Sequence, residues 1–222
     1  MGIITAHSGC DGTQDNSLEF IEYALSAGAD CLEVDVRRNQ AGDLFLAHDE
    51  TGEERVKLCE AFALVKSFPE KKINCDLKMK DLEIPVYRLA REFKAECQLI
   101  YSGEVSIKLL REKDKEFPEA EIYLNVENLF PEVYCEAPGA HGQEKLKDML
   151  AQAKGCPISC INMEYHLFTD EIIDLLALIK LRGSAWTVDE PEEARRLMEK
   201  DIFNITTRNL KKAMELRKEM RR

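Results

Sequence analysis

In the stretch Gly28-Ala29-Asp30-Cys31-Leu32-Glu33-Val34-Asp35-Val36, the carboxylates of Glu33 and Asp35 lie two residues apart inside the apolar and β-branched run that begins at Cys31. Side chains alternate across a strand, so Glu33 and Asp35 share one face. The residues around them are apolar and take the opposite face. This pattern predicts a strand that packs against helices on one side and carries reactive groups on the other.

Around this stretch, short apolar runs alternate with longer helical patterns. Strands are predicted at residues 2–6, 31–36, 72–77, 98–101, 121–125, 158–162, 183–187 and 202–206, with an extended piece at 44–47. Helices are predicted at residues 17–27, 56–68, 84–94, 105–113, 143–154, 169–180 and 191–199, with a last one from residue 209. Eight strand–helix units favour a closed (β/α)8 TIM-type barrel. The alternative is an open doubly wound sheet, but Gly9-Cys10-Asp11-Gly12 is not its usual phosphate fingerprint.

Composition and charge exclude several classes of protein. The 222 residues are 45% hydrophobic, which supplies one substantial core, and a single barrel domain is predicted over residues 1–222. The formal net charge of −11 argues against nucleic-acid binding. No apolar run is long enough to span a bilayer, so stable membrane insertion is not expected.

The cysteines indicate a cellular compartment. Eight of them are scattered through the chain without a C-x-x-C pair, and the N-terminus shows no secretory signal. Both features favour free thiols in a reducing cytoplasm. The oligomeric state is left open.

A second stretch with alternating polarity, Ile73-Asn74-Cys75-Asp76-Leu77-Lys78, forms the third predicted strand. Asn74, Asp76 and Lys78 share one face, and the apolar residues share the other. The reactive groups of a (β/α)8 barrel lie at the carboxyl ends of its strands. We therefore expect both charged faces to meet at one mouth of the barrel.

Three carboxylates at one mouth, Glu33, Asp35 and Asp76, repel one another unless a cation lies between them. Hard divalent cations bind such oxygen clusters, so Mg²⁺ or Ca²⁺ is predicted there. His7 and His48 flank the cluster and are candidates for acid–base chemistry near neutral pH. The alternative is that these are surface carboxylates with incidental histidines. The apolar residues at every intervening position favour the functional interpretation.

With these motifs in place, the sequence resembles the glycerophosphodiester phosphodiesterases. It is similar to the family's His-x-Gly start, its second strand with Glu-x-Asp, its His-Asp motif, its third-strand Glu-x-Lys motif and its late Trp-Thr-Val segment. The matching segments cover nearly the whole chain in order: His7-Ser8-Gly9, residues 28–36, Ala47-His48-Asp49, residues 73–78 and Ala185-Trp186-Thr187-Val188.

The resemblance implies a barrel of the phospholipase-C-like phosphodiesterase type, with a short insertion after His48. It implies a divalent metal, Mg²⁺ or Ca²⁺, held by Glu33, Asp35 and Asp76. It also implies that His7 and His48 act as general base and general acid.

The reaction that the resemblance implies is hydrolysis of a glycerophosphodiester, a small-molecule substrate, to glycerol 3-phosphate and an alcohol in glycerophospholipid metabolism. In the mechanism that the resemblance implies, the substrate's own hydroxyl first attacks phosphorus and forms a cyclic phosphate. Water then opens this cyclic phosphate. Lys78 would bind the phosphate or metal-bound oxygens. Trp186 would form an apolar wall beside the alcohol.

Four departures from the family pattern bear on the site. Ser8 replaces the family's arginine, and Arg37 on the second strand is predicted to face the same mouth and supply the missing cation. Asp76 is one methylene shorter than the usual glutamate. The segment after His48 is mostly one helix, which predicts a more open site or a different alcohol. The last strand, residues 203–207, lacks the usual glycine and aspartate.

Three other functions remain open at this stage. One is a degenerate family member that binds a phosphodiester or a metal without turnover. Another is a phosphodiesterase for a different headgroup, such as a phosphoinositol or a lysophospholipid. The most distant is a barrel sugar isomerase or an aldolase that uses Lys78 as a Schiff base.

Overall fold

The computed structural model describes residues 2–53, 55–108, 120–136 and 140–221. Its strands are β1 Ile3–Ala6, β2 Cys31–Arg38, β3 Leu44–Leu46, β4 Lys72–Leu77, β5 Leu99–Gly103, β6 Glu121–Asn125, β7 Cys160–Glu164, β8 Gly183–Trp186 and β9 Asn204–Thr207. All of these strands except β3 pair in parallel with their neighbours, and β1 pairs with both β2 and β9. The described residues therefore form a closed eight-stranded barrel, which confirms the predicted (β/α)8 fold.

The strand β3 lies outside the barrel as the second arm of a hairpin. It pairs antiparallel with the end of β2, where Arg37 lies opposite Phe45. The extended piece predicted at residues 44–47 is therefore a strand, but not a barrel strand. The hairpin carries β2 past the rim of the barrel, so the last side chains of β2 leave the barrel interior.

Helices surround the barrel in the predicted order. They are α1 Leu18–Ser26, α2 Leu58–Val65, α3 Glu83–Glu92, α4 Val133–Glu136, α5 Ala140–Ala153, α6 Asp170–Ile179, α7 Pro191–Glu199 and α8 Leu210–Met220. Each coincides with a predicted helix except the short α4. The helix predicted at residues 105–113 lies mostly outside the described residues. Within the described part of the chain, no helix combines the length and apolarity needed to cross a bilayer.

Local sequence signals explain where several helices begin. The Ser17 hydroxyl accepts a hydrogen bond from the Phe20 backbone N–H at 3.0 Å, which caps α1. Thr169 caps α6 in the same way, accepting from the Ile172 N–H at 3.3 Å. The helix α7 begins at Pro191, whose fixed φ and missing N–H suit a first helical turn.

The barrel interior changes from apolar to polar along the strands. A buried apolar layer is formed by Cys31, Ile100, Tyr123 and Cys160, with Ile3 and Phe203 packed against it. Two residues further along the same four strands, the buried side chains are polar: Glu33, Ser102, Asn125 and Asn162. The apolar layer fills the amino-terminal end of the barrel, and the polar groups collect at the carboxyl end.

Candidate active site

A cavity of about 270 Å³ opens at the carboxyl ends of the barrel strands. Of the eight site residues predicted from the sequence, Arg37 alone does not line it. The predicted residues that the structure brings together there are His7, Glu33, Asp35, His48, Asp76, Lys78 and Trp186.

Three carboxylates form one side of the cavity, here called the acidic wall: Glu33, Asp35 and Asp76. One oxygen from each lies within 4.8 Å of the others, and all three residues are buried. The strand register causes this proximity, because β2 and β4 pair in parallel with Asp35 opposite Asp76. Buried carboxylates this close repel one another, so a cation has to lie among them for all three to be ionised.

Lys78, directly after β4, supplies one such cation. Its Nζ lies 3.0 Å from Asp35 Oδ1 and 2.5 Å from Asp76 Oδ2. Burial by itself lowers the pKa of Lys78, but the carboxylates of Asp76 and Asp35 outweigh burial and hold the pKa above its usual range. Lys78 is therefore charged, and its single positive charge is shared between two of the three carboxylates.

Glu33 is the carboxylate that the protein leaves without a close partner. Its Oε2 is buried and accepts no hydrogen bond from the described residues, and His7 Nε2 lies 3.7 Å from it. Burial raises the pKa of Glu33 to about 7; the interaction with His7 opposes this rise, and Asp76 and Asp35 add to it. An unpartnered oxygen among further carboxylates fits Mg²⁺ or Ca²⁺, which take oxygen ligands.

The loop after β1 holds Asp35 in place. Asn16 Nδ2 donates to Asp35 Oδ2 at 2.7 Å, and the Asp35 backbone N–H donates to Asn16 Oδ1 at 2.9 Å. The Asn16 backbone N–H donates in turn to Ser8 Oγ at 2.6 Å. Ser8 is buried. Its hydroxyl therefore supports the turn that orients a carboxylate of the acidic wall.

The strand β5 supports Asp76 from the other side. Ser102 Oγ donates to Asp76 Oδ1 at 2.6 Å, and Asn74 Nδ2 donates to Ser102 Oγ at 3.0 Å. Lys78 already contacts Asp76 Oδ2. Both oxygens of this shorter side chain therefore have a partner, in contrast to the buried oxygen of Glu33.

The two predicted histidines differ in exposure. His7 is mostly buried, and its Nδ1 lies 2.9 Å from the carbonyl oxygen of Ser8. Because a carbonyl only accepts, Nδ1 carries the hydrogen, and the neutral ring keeps its lone pair on Nε2, towards Glu33. His48 is exposed on the loop after β3, and its Nδ1 lies 2.9 Å from Asp49 Oδ1. The two histidines therefore flank the acidic wall from different environments, one mostly buried and one open to solvent.

Trp186 and Glu127 form a mixed apolar and acidic part of the cavity. The Trp186 ring stands edge-on to Tyr134, with the ring centroids 5.9 Å apart. The Tyr134 hydroxyl and the Asn125 amide each donate to one oxygen of Glu127, both at 2.9 Å. Burial raises the pKa of Glu127, and these hydrogen bonds oppose the rise. An indole beside an oriented carboxylate can contact a ligand group that has both apolar and hydrogen-bonding parts.

Four neutral side chains on β6, β7, β8 and β9 form a hydrogen-bonded chain in the barrel interior, here called the amide wall: Asn125, Asn162, Ser184 and Asn204. Asn204 Nδ2 donates to Ser184 Oγ at 2.8 Å, and Ser184 Oγ donates to Asn162 Oδ1 at 2.7 Å. Asn162 Nδ2 then donates to Asn125 Oδ1 at 2.8 Å. Each buried group is satisfied by its neighbour, which rigidifies this half of the barrel.

Arg37 lies outside the cavity. Its Nε donates to the carbonyl oxygen of His48 at 2.9 Å, and its side chain lines a neighbouring groove of about 590 Å³. The expectation that Arg37 faces the mouth is wrong because the hairpin with β3 carries the end of β2 past the rim. Its observed contact is with the loop that carries His48.

Arg208, directly after β9, is a cavity residue that the motifs did not indicate. Its Nη1 donates to Asp15 Oδ1 at 3.0 Å. The one available signal was a basic residue at the carboxyl end of the last predicted strand, which is the end where barrel sites form.

Comparison with other sequences gives limited information. The sequence matches no family model. It is 25% identical over 241 aligned residues to the uncharacterized protein YqiK of Bacillus subtilis (strain 168), covering 97% of this chain and 98% of that protein.

Comparison of folds is more informative. A glycerophosphodiester phosphodiesterase from Thermotoga maritima superposes with a TM-score of 0.71 at 20% identity, covering 97% of this chain and 98% of that one. A second, from Agrobacterium tumefaciens strain C58, has a TM-score of 0.71 at 16% identity, with coverage of 98% and 100%. An Oleispira antarctica phosphodiesterase in complex with its product sn-glycerol-3-phosphate has a TM-score of 0.70 at 17% identity, with coverage of 98% and 97%. The resemblance predicted from the sequence is thus confirmed at the level of the fold.

Proposed function

We propose that this chain, built on the fold of the glycerophosphodiester phosphodiesterases, hydrolyses glycerophosphodiesters to glycerol 3-phosphate and an alcohol with the help of a divalent metal. The observation that carries the proposal is the buried, unpartnered Oε2 of Glu33, set beside Asp35, Asp76 and His7 Nε2. A buried carboxylate oxygen without a hydrogen bond costs free energy unless a ligand satisfies it. A cation site next to a base suits phosphodiester hydrolysis.

The acidic wall would hold Mg²⁺ or Ca²⁺ through Glu33, Asp35 and Asp76. When bound, the metal neutralises phosphate charge and lowers the pKa of the attacking hydroxyl. Lys78 pairs with both Asp35 and Asp76 in the structure described here. With a second cation in place, its ammonium group is available to bind a phosphate oxygen of the substrate.

His7 and His48 would carry the proton transfers. The Ser8 carbonyl fixes the hydrogen of His7 on Nδ1, so Nε2 can take the proton of the attacking hydroxyl as its oxygen bonds to phosphorus. His48, whose Nδ1 lies 2.9 Å from Asp49 Oδ1, can give a proton to the departing alcohol oxygen as its bond to phosphorus breaks. Each such transfer contributes about 10²–10⁴-fold to the rate.

The alcohol would lie against Trp186, whose half-buried ring lines the cavity. The hydrogen-bonded carboxylate of Glu127 lies in the same cavity and can accept from a hydroxyl or an amine. Among the described residues between His48 and β4, α2 has eight residues, Leu58–Val65, so this segment is not mostly one helix as predicted, and His48 itself is exposed at the mouth. This supports a substrate whose alcohol extends into solvent.

Two alternatives differ in how they fit the site. Binding without turnover is favoured by Ser8 in place of an arginine and by the exposure of His48. It is opposed by the collection of both histidines and all three carboxylates in one cavity. A Schiff-base aldolase fits poorly, because a Schiff base needs a neutral amine and the pKa of Lys78 is raised.

The setting that we propose is the cytoplasm. All eight cysteines lie within the described residues, and none of them forms a disulfide. This supports a reducing compartment. The net charge of −11 supports a small-molecule substrate rather than a nucleic acid.

The direct test is release of sn-glycerol 3-phosphate from glycerophosphocholine, glycerophosphoethanolamine and glycerophosphoinositol. Each is assayed with Mg²⁺, with Ca²⁺ and with chelator, beside His7→Ala. We expect metal-dependent release from at least one diester and its loss in His7→Ala. Binding of the diesters without release under any condition would instead support the non-catalytic alternative.

A further inference from the structure

We infer that Arg208 binds the phosphate group of the substrate from the β9 side of the cavity and that Asp15 positions its guanidinium. This inference rests on the proposed function and adds a residue that the sequence motifs do not contain. It follows from the fixed backbone of Arg208, the contacts of its side chain and the charge of the cavity.

The backbone of Arg208 is held on both sides of its Cα. Its N–H donates to Asp189 Oδ1 at 2.7 Å, and its carbonyl oxygen accepts from the Asp11 N–H at 2.7 Å. The neighbouring Thr207 hydroxyl also donates to Asp189 Oδ1, at 3.2 Å. The side chain therefore starts from a defined point at the end of a barrel strand, as a ligand-binding residue should.

The side chain of Arg208 is directed by Asp15. Nη1 donates to Asp15 Oδ1 at 3.0 Å, and the described residues supply no other hydrogen bond to this guanidinium. The ion pair lies against Gly9, where a Cβ would stand 1.9 Å from Asp15 Oδ1 and 3.2 Å from Nη1. Gly9 has φ +77°, which also favours glycine. The Gly9 backbone and the Asp15–Arg208 ion pair thus fit closely together. Since Asp15 uses one N–H donor, most of the five donors of the guanidinium remain for a ligand.

The charge of the cavity favours a cation on its β9 side. Besides the acidic wall, Glu127 lines the cavity, and against these four carboxylates stand Lys78 and Arg208. Lys78 lies between Asp35 and Asp76, whereas Arg208 pairs with a carboxylate outside the acidic wall. Even with a divalent metal on the acidic wall, the four carboxylates outweigh the metal and Lys78 by one charge (−4 against +3), so an entering phosphodiester anion is repelled unless a further cation meets it.

The surroundings of Ser8 explain why position 8, where the family that the sequence resembles has an arginine, does not supply this cation. The Ser8 side chain is buried, and its Oγ accepts from the Asn16 N–H at 2.6 Å in the turn that orients Asp35. An arginine with this conformation would have no space for its side chain and would break the support of Asp35. The guanidinium fork suits phosphate because it can donate two parallel hydrogen bonds, which a lysine cannot.

The test compares two arginines by calorimetric binding of sn-glycerol 3-phosphate to Ca²⁺-loaded protein, together with kcat and KM. Arg208→Gln is the test variant, and Arg38→Gln is the matched control, because Arg38 lines the neighbouring groove and not the cavity. We expect Arg208→Gln to weaken binding about 10–100-fold and to raise KM more than it lowers kcat, with Ca²⁺ binding unchanged. Arg208→Lys should restore part of the loss, and Asp15→Asn should cause a smaller one.

The outcomes separate this inference from the proposed function. Loss of product binding in Arg208→Gln supports the inference even if the wild type hydrolyses none of the diesters. Wild-type turnover with unchanged binding and KM in Arg208→Gln overturns the inference and leaves the function standing. Equal losses in Arg208→Gln and Arg38→Gln, or no binding of the phosphomonoester by the wild type, also overturn it.

Discussion

The acidic wall and the amide wall occupy opposite halves of one barrel, and they differ in how their polar groups are satisfied. In the amide wall each side chain bonds the next, from Asn204 through Ser184 and Asn162 to Asn125. In the acidic wall a buried oxygen of Glu33 has no hydrogen-bond partner among the described residues. The amide wall is complete on its own, and the acidic wall needs a cation from solution. The amide wall therefore maintains the barrel, and the acidic wall carries the metal-dependent chemistry.

The largest expected effect comes from removing the unpartnered carboxylate. Glu33→Gln should lower metal-dependent turnover about 10³-fold or more, because the metal site loses a charged ligand. The measurement is kcat/KM at the Ca²⁺ or Mg²⁺ concentration that saturates the wild type. Glu164→Gln, at the partly exposed end of β7 and outside the cavity, serves as the control and should stay close to wild type. Activity of Glu33→Gln within tenfold of wild type would contradict the comparison.

The next effect concerns the base beside the acidic wall. His7→Ala should reduce turnover about 10²–10⁴-fold while Ca²⁺ binding persists, because His7 moves a proton and is not needed as a ligand. His166→Ala is the matched control, since His166 is exposed and pairs with Glu164. Full turnover in His7→Ala, or loss of Ca²⁺ binding together with turnover, would show that His7 has a different role.

The amide wall should respond in stability and not in chemistry. Asn162→Ala removes the acceptor of the Ser184 hydroxyl and the donor to the Asn125 carbonyl, which costs about 1–3 kcal/mol of unfolding free energy. Turnover below the melting range should stay within about threefold. Urea unfolding followed by circular dichroism measures the first value. If Asn162→Ala keeps its stability but loses activity, the amide wall takes part in the reaction as well.

The acidic wall should also make the metal-free protein sensitive to pH. The pKa of Glu33 is raised from the ordinary value of 4.5 to about 7 in the folded chain. Between these two pH values the folded chain therefore binds more protons than the unfolded chain. The free energy of unfolding therefore falls as pH rises through this range and Glu33 loses its proton, by on the order of 2 kcal/mol. The measurement is unfolding in chelator from pH 5 to pH 8, with Glu33→Gln as the comparison. Parallel profiles for both proteins would contradict this assignment.

The smallest expected effect is at Arg37, which contacts the His48 loop from outside the cavity. Arg37→Ala should lower kcat by no more than about threefold to tenfold and leave KM unchanged, because one hydrogen bond to a backbone carbonyl is lost. A rise in KM larger than that of Arg208→Gln would return Arg37 to the phosphate site and reverse the assignment of the two arginines.

The parts that sequence predicted well depend on strand alternation. Glu33, Asp35 and Asp76 could be placed together because period-two alternation fixes the face and parallel strands share one carboxyl end. Arg37 has the same parity as Asp35, but alternation applies only while a strand stays in the barrel. The hairpin with β3 takes the end of β2 out of the barrel. No local feature of the sequence marks the residue at which β2 leaves it.

The parts that sequence missed depend on contacts across the ring. The pair of Asp15 and Arg208 joins residues from opposite ends of the chain, and it becomes visible only when β1 and β9 close the barrel. The amide wall is missed for the same reason, because single asparagines and serines on different strands carry no signal individually. The role of Ser8 likewise appears only with the Asn16 turn in place.

The most direct test of the division between the two walls is calorimetric titration of Ca²⁺ into metal-free wild type, Glu33→Gln and Asn162→Ala at pH 8. We predict one site per chain in the wild type, the same site in Asn162→Ala, and no measurable binding in Glu33→Gln. Equal binding by Glu33→Gln and the wild type would contradict the account, because the acidic wall would then not be the metal site.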